Sequence, residues 1–174
     1  IDLSYGGVTG FNQAIDSCWS ILADVKFIRE RKLLQSYFDE INKDTGKYIY
    51  GASETVDMLL SGAIEKLILW ENLEIFRVTF ENLNTKDENI RILGNNAVKD
   101  SSFLKKLEQQ NDSLIIKMEL LSEWIVDNRK NFGAALFFVS DKTPEGNQFK
   151  KGFGGIGGIL RYNVKIDIFG DESS

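Results

Sequence analysis

The run Gly152-Phe153-Gly154-Gly155-Ile156-Gly157 satisfies the pattern G-x-G-x-x-G, in which glycines let a backbone close around a pyrophosphate. That chemistry needs a strand before the run, a helix after it and an acidic residue about 20 positions further on. The flanking pattern is inverted. Thr143-Pro144-Glu145 reads as a helix start, with Thr as N-cap, Pro at the first helical position and Glu in the first turn. Ile159 to Phe169 then alternates as a long final strand. Nucleotide binding is therefore not expected. The glycines instead permit positive φ or close approach by another backbone. Phe153 and Ile156, apolar side chains on so bare a loop, suggest a protein-docking surface.

Other chemistries fall away on composition. The 174 residues include no histidine and one cysteine, Cys18. No His-based triad, imidazole base, His-ligated metal, thiolate zinc site or internal disulfide can be built from this chain. Cys18 falls on an apolar helical stripe and reads as a buried, inert thiol. No pair of carboxylates sits in an apolar setting that would separate their pKa values for acid–base work, so no catalytic residue, cofactor or metal is expected. The net charge is -5, from 21 basic and 26 acidic side chains, which works against a nucleic-acid surface. Lys26, Arg29, Arg31 and Lys32 still cluster locally, and Lys150-Lys151 add a second basic site. A solvated helix flank or the rim of a protein or ribosome contact would accommodate both. No run approaches the ~20 apolar residues of a membrane span, and the start has no signal-peptide pattern. A cytoplasmic protein is expected, and the lack of an initiator Met at Ile1 suggests further chain upstream.

The elements that would position these residues follow from periodicity. Phe11, Ile15, Cys18, Leu22 and Val25 form one apolar face of a helix over 11–25. A second helix is expected over 27–42, with Phe27, Leu34, Phe38 and Ile41 inward and Arg29, Glu30, Arg31 and Lys32 solvated, capped near Gly46. Tyr48-Ile49-Tyr50 is β-rich. Ser53 would cap a helix burying Val56, Leu59, Leu60 and Ala63, and 66–70 reads as a strand covered on both faces. Phe76, Val78 and Phe80 alternate as a strand. The segment from Phe76 to Leu120 has seven basic and seven acidic residues, so the whole -5 resides elsewhere. A helix over 119–131 stopped by Gly133 and a buried strand over 134–139 complete a layered α/β pattern.

Three ordered motifs carry a family resemblance. Gly6-Gly7-Val8-Thr9-Gly10-Phe11-Asn12-Gln13-Ala14-Ile15, then Tyr37-Phe38-Asp39-Glu40-Ile41 with Asp44-Thr45-Gly46-Lys47-Tyr48, then Gly152 through Tyr162 resemble the C-terminal domain of the eukaryotic class I peptide-chain release factors. The likeness covers residues 5–81 and 119–162 and is weak over 82–117. It implies an α/β sandwich similar to the L30e/L7Ae-type fold, made of residues 1–75 and 119–174, with a small β-rich minidomain inserted at 76–118. In that family the decoding domain and the Gly-Gly-Gln loop that promotes hydrolysis lie in other domains, and neither occurs here. The family's long acidic tail is expected to be missing or truncated after Ser174.

The resemblance implies a non-catalytic interaction domain that binds the class II release factor, a translational GTPase, and in recycling an ATP-binding-cassette ATPase on the ribosome. The implied partner-binding residues are Tyr37 and Phe38, then Phe153, Ile156, Gly158, Ile159, Leu160, Arg161 and Tyr162. Ile159 and Tyr162 fit core positions of the final strand equally well. The minidomain is expected to modulate ribosome contact and stop-codon preference. The isolated domain is expected to be monomeric, with direct RNA contact weak. Two rival readings stand beside this one: an RNA-binding module of L7Ae-like fold, and the homologous ribosome-rescue factor's C-terminal domain.

Overall fold

The computed structural model describes residues 3–164, apart from the side chains of residues 3–9 and Phe11. The far part of the expected final strand, 165–169, and the polar end lie outside those residues.

Helix α1 (Leu3–Asn42) is one element of 40 residues, in place of the two helices expected over 11–25 and 27–42. Residues 11–42 contain neither glycine nor proline, so nothing breaks the backbone ladder at Lys26. The stripe Ile15, Cys18, Leu22 and Val25 is exposed rather than buried, and Trp19 stands 68% exposed beside it. That half of the helix overhangs the sheet with no described element above it. Cys18 is therefore a solvent-facing thiol. The C-terminal half behaves differently: Leu34 and Tyr37 are fully buried, and Leu33, Phe38 and Ile41 pack against them.

A four-stranded mixed sheet forms the centre. It is built from β1 (Tyr48–Tyr50), β2 (Ile64–Trp70), β6 (Ala135–Val139) and β7 (Ile156–Leu160), in the order β1-β7-β2-β6. Strand β7 is antiparallel to both neighbours, and β2 runs parallel to β6. Side-chain alternation divides two cores. Ile68, Val139 and Ile159 face α1 and α7 (Pro144–Phe153). Leu67, Leu69, Ile156 and Leu160 face α2 (Ala52–Leu60), α5 (Leu121–Asp127) and α6 (Arg129–Phe132). Helices on both faces of a sheet make this an α/β sandwich.

Three local starts and stops depart from expectation. Gly51, not Ser53, is the N-cap of α2, and no side chain caps it. The helix expected over 119–131 divides at Asn128, whose side-chain amide donates to Trp124 O (2.8 Å) and ends α5; Gly133 (φ 63) then stops α6. Strand β7 runs from Ile156 to Leu160, so it starts before the expected Ile159 and residues 161–164 do not continue it. Gly157 and Gly158 lie inside a strand and only Gly154 and Gly155 form the turn after α7. At Thr143 expectation and structure agree: its hydroxyl accepts from Gly146 N–H at 3.0 Å, with Pro144 next in line. Thr143→Ala should cost about 1 kcal/mol, read as a lower denaturant midpoint at unchanged slope.

A second sheet contains β3 (Ile75–Asn82), β4 (Glu88–Gly94) and β5 (Ser113–Leu120), ordered β4-β3-β5 and antiparallel throughout. Two helices absent from the sequence reading, α3 (Asn95–Lys99) and α4 (Ser101–Gln110), accompany it. Val78, Phe80 and Leu107 form a separate apolar cluster there. Arg77 links this sheet to α5, pairing with Glu119 at 3.1 Å while its guanidinium lies 4.5 Å over the Trp124 ring.

Glu30 is the sharpest change from the sequence reading. Only 5% exposed, it accepts hydrogen bonds from Ser140 N–H (3.3 Å) and Ser140 Oγ (3.0 Å), with Lys26 Nζ at 3.8 Å from its other oxygen. With Arg31 paired to Glu145 at 3.1 Å, it fixes the middle of α1 to the segment that opens α7. The local basic cluster is thus partly spent inside the fold.

Candidate partner-docking surface

The aromatic and glycine residues of the third motif meet at β7. A Cβ on Gly157 would stand 2.6 Å from Tyr37 Oη and 2.7 Å from Ile49 O. A Cβ on Gly158 would stand 2.6 Å from Lys66 O on the opposite face. Two adjacent glycines therefore let helix α1 and both neighbouring strands close on the middle strand. Into the space above Gly157 goes the Tyr37 phenol, whose hydroxyl donates to Ile49 O at 2.8 Å.

From Tyr37 an aromatic chain leads outward. Its ring meets Phe149 edge-on at 5.6 Å and Phe153 at 5.8 Å, and Phe38 lies 5.5 Å from Phe153. Phe153 meets Tyr50 edge-on at 5.6 Å, and Tyr50 stacks on Tyr48 at 6.4 Å. Such tilted and edge-on pairs are the favoured geometries and add roughly 0.5–1.5 kcal/mol each beyond area burial.

The nine residues implied by the resemblance divide by depth. Tyr37, Ile156, Gly158, Ile159 and Leu160 are buried in the domain and present no surface in this conformation. Phe38 and Phe153 are half-buried, while Arg161 and Tyr162 are exposed. The equal fit of Ile159 and Tyr162 to core positions thus separates, with Ile159 inside and Tyr162 45% exposed. Arg161, although exposed, is engaged. Its Nε donates to Gly62 O at 3.1 Å and its Nη2 to Gly133 O, joining the turns that precede β2 and β6. Tyr48, which closes the second motif, and Tyr50 belong to a β-rich run in the sequence and are not among those nine. Their alternation about Ile49 was the available signal, since it places both rings on the face of β1 that carries Phe153.

Burial pushes the Tyr37 hydroxyl well above the ordinary tyrosine range, and the neighbouring Tyr50 and Tyr48 add to the shift. The raised folded pKa means that this contribution is complete below about pH 10, the unfolded value. It is lost as pH rises from there toward the folded value, at up to about 1.4 kcal/mol per pH unit. Urea titrations between pH 9 and 11 should show stability falling with pH in the native sequence and a flatter profile in Tyr37→Phe. At α7 it is acid that removes stability. Hydrogen bonds from Lys150 to Asp141, and from the backbone and Arg31 to Glu145, hold both carboxyls below their usual range. Their support is present above about pH 4 and fades as pH falls through the lowered values.

Among the described residues no cluster of His, Cys, Asp and Glu could hold a metal, and no helix is long and apolar enough to cross a membrane. A family model described as eRF1 domain 3 matches residues 27–164. The eukaryotic peptide chain release factor subunit 1 of Saccharomyces cerevisiae is 47% identical over 173 residues, 99% of this chain and 39% of that protein. The corresponding protein of Cryptosporidium hominis is 48% identical over 164 residues, 94% of this chain and 38% of that protein. The chain therefore spans about two fifths of the length of these relatives. Among solved structures, the C-terminal domain of a peptide chain release factor from Methanosarcina mazei superimposes with a TM-score of 0.72 at 24% identity. That match covers 90% of this chain and 96% of the other, and so shares the fold. With the family model running from the middle of α1 past the end of β7, and near-half identity along almost its whole length, the chain belongs to the eRF1 domain 3 family.

Proposed function

We propose that this chain is the partner-docking C-terminal domain of a class I release factor, acting in translation termination in the cytoplasm. It binds the class II release factor GTPase and, in recycling, the ATP-binding-cassette ATPase on the ribosome. Chemistry is left to domains outside it. The observation that carries the reading is the aromatic ridge Phe38–Phe153–Tyr50, half sunk in the domain and rooted on Tyr37. Rigid, partly buried aromatics are the usual anchors of protein interfaces. In this reading Tyr37 and Ile159 hold the ridge from beneath, Ile156, Gly158 and Leu160 set the opposite face of β7, and Phe38, Phe153, Arg161 and Tyr162 meet the partner.

Calorimetric titration of the chain with a class II release factor GTPase tests the proposal. Saturable binding supports it, and a folded chain that produces none overturns it. The segment 76–118, whose second sheet has its own apolar cluster, is the minidomain of this reading and modulates ribosome contact and stop-codon preference. A folded protein lacking it should keep its affinity for the GTPase.

A further inference from the structure

Strand β6 lies at one end of the central sheet, so among the described residues its outer edge has no strand paired to it. Its sequence, Ala-Leu-Phe-Phe-Val, contains no charge and no proline, the devices that normally blunt such an edge. Phe137 and Phe138 are 37% and 41% exposed on it. Each face of this edge opens into a groove.

On the α1 face, Leu22, Val25, Leu33 and Phe137 line about 390 Å³. The Glu30–Ser140 hydrogen bonds hold that wall in place. Lys26, Arg29 and the buried Glu30 also line it, and the other lining residues are apolar. On the α5 face, Phe138 and Val126 share about 340 Å³ with Glu123 and Asp127. Neither carboxylate has a cationic partner among the described residues.

We propose that the β6 edge is a strand-addition site for an extended segment of a partner protein in which apolar and basic residues alternate. Main-chain hydrogen bonds to β6 supply affinity, as in other strand-addition complexes. The period of two then sends alternate side chains to opposite faces. Apolar ones enter the α1 groove, where Lys26 and Arg29 disfavour a further cation, and basic ones meet Glu123 and Asp127. This site is separate from the aromatic ridge, and its test is independent of GTPase binding.

The probe is a fluorescein-labelled octapeptide of alternating valine and lysine, titrated against the 174-residue chain by fluorescence anisotropy. It should bind at least tenfold more tightly than a valine–glutamate octapeptide. An analogue N-methylated along one edge should lose at least tenfold. Glu123→Lys combined with Asp127→Lys should abolish the preference for lysine, and Phe137→Glu should weaken binding tenfold with an unchanged melting temperature. Equal binding of the N-methylated analogue would show only attraction between a basic peptide and an acidic chain, and would overturn the proposal. So would a lysine preference that survives the double substitution, or no binding at all. Sedimentation as a dimer that Phe137→Glu dissolves, with no competition from the peptide, would instead assign the edge to a second copy of this chain.

Discussion

Gly157→Ala is expected to destabilise the domain by about 3 kcal/mol, in the range of overpacked cores. The added methyl meets the Tyr37 hydroxyl and the Ile49 carbonyl at once, from within a strand paired on both sides. Neither can give way freely. Tyr37 is fully buried between Phe149 and Phe153, and Ile49 is held in register opposite Gly158. Tyr37→Phe alone should cost about 1 kcal/mol, the net worth of one hydrogen bond. In the Gly157→Ala background it should recover part of the loss, because it removes one of the two obstacles. Urea unfolding of the four proteins closes the cycle. Wild-type stability in Gly157→Ala, or strict additivity of the two substitutions, would contradict the close packing described.

Phe153→Ala carries the largest expected effect on binding. Truncating a central aromatic anchor commonly costs about 2 kcal/mol or more, which is roughly a 30-fold weaker Kd for the GTPase. Phe153 also touches Tyr37, Phe38 and Tyr50, so its loss must be measured against folding. The discriminating comparison is Arg161→Ala. That side chain spans two loop carbonyls, and its removal should lower stability whatever it does to docking. A Phe153→Ala protein that stays folded and binds like the native chain would remove the ridge from the interface.

Much of this architecture was legible because local signals and tertiary packing agree. At Thr143 the cap, the proline and the acidic first turn all point to one helix start, and α7 begins there. The alternation of Phe76, Val78 and Phe80 fits a strand, and β3 is that strand. Elsewhere the pattern is degenerate. Ala-Leu-Phe-Phe-Val reads the same at the centre of a sheet as at its edge, and β6 is an edge. Periodicity marks an apolar face on α1 without saying whether anything covers it, so Leu22 and Val25 were expected inside and stand outside. Glu30 looks like any charged helix residue until Ser140, 110 positions away, arrives beside it. Residue type also says little about depth within the third motif. Ile159 and Tyr162 are both apolar-bodied and near one another in sequence, yet only the fold puts one inside and the other out.

The uninterrupted α1 has a mechanical consequence. Its polar anchors, Lys26 to Glu71, Glu30 to Ser140 and Arg31 to Glu145, lie well along the helix, so residues 12–26 form an overhanging arm of about 21 Å at 1.5 Å per residue. With no glycine or proline in that stretch to absorb bending, a sideways push at Asn12 becomes a torque about the anchored turn Lys26–Glu30. Beyond that point Leu34 and Tyr37 are fully buried, so the torque ends in a clamped core and the arm transmits force to the domain as one rigid rod.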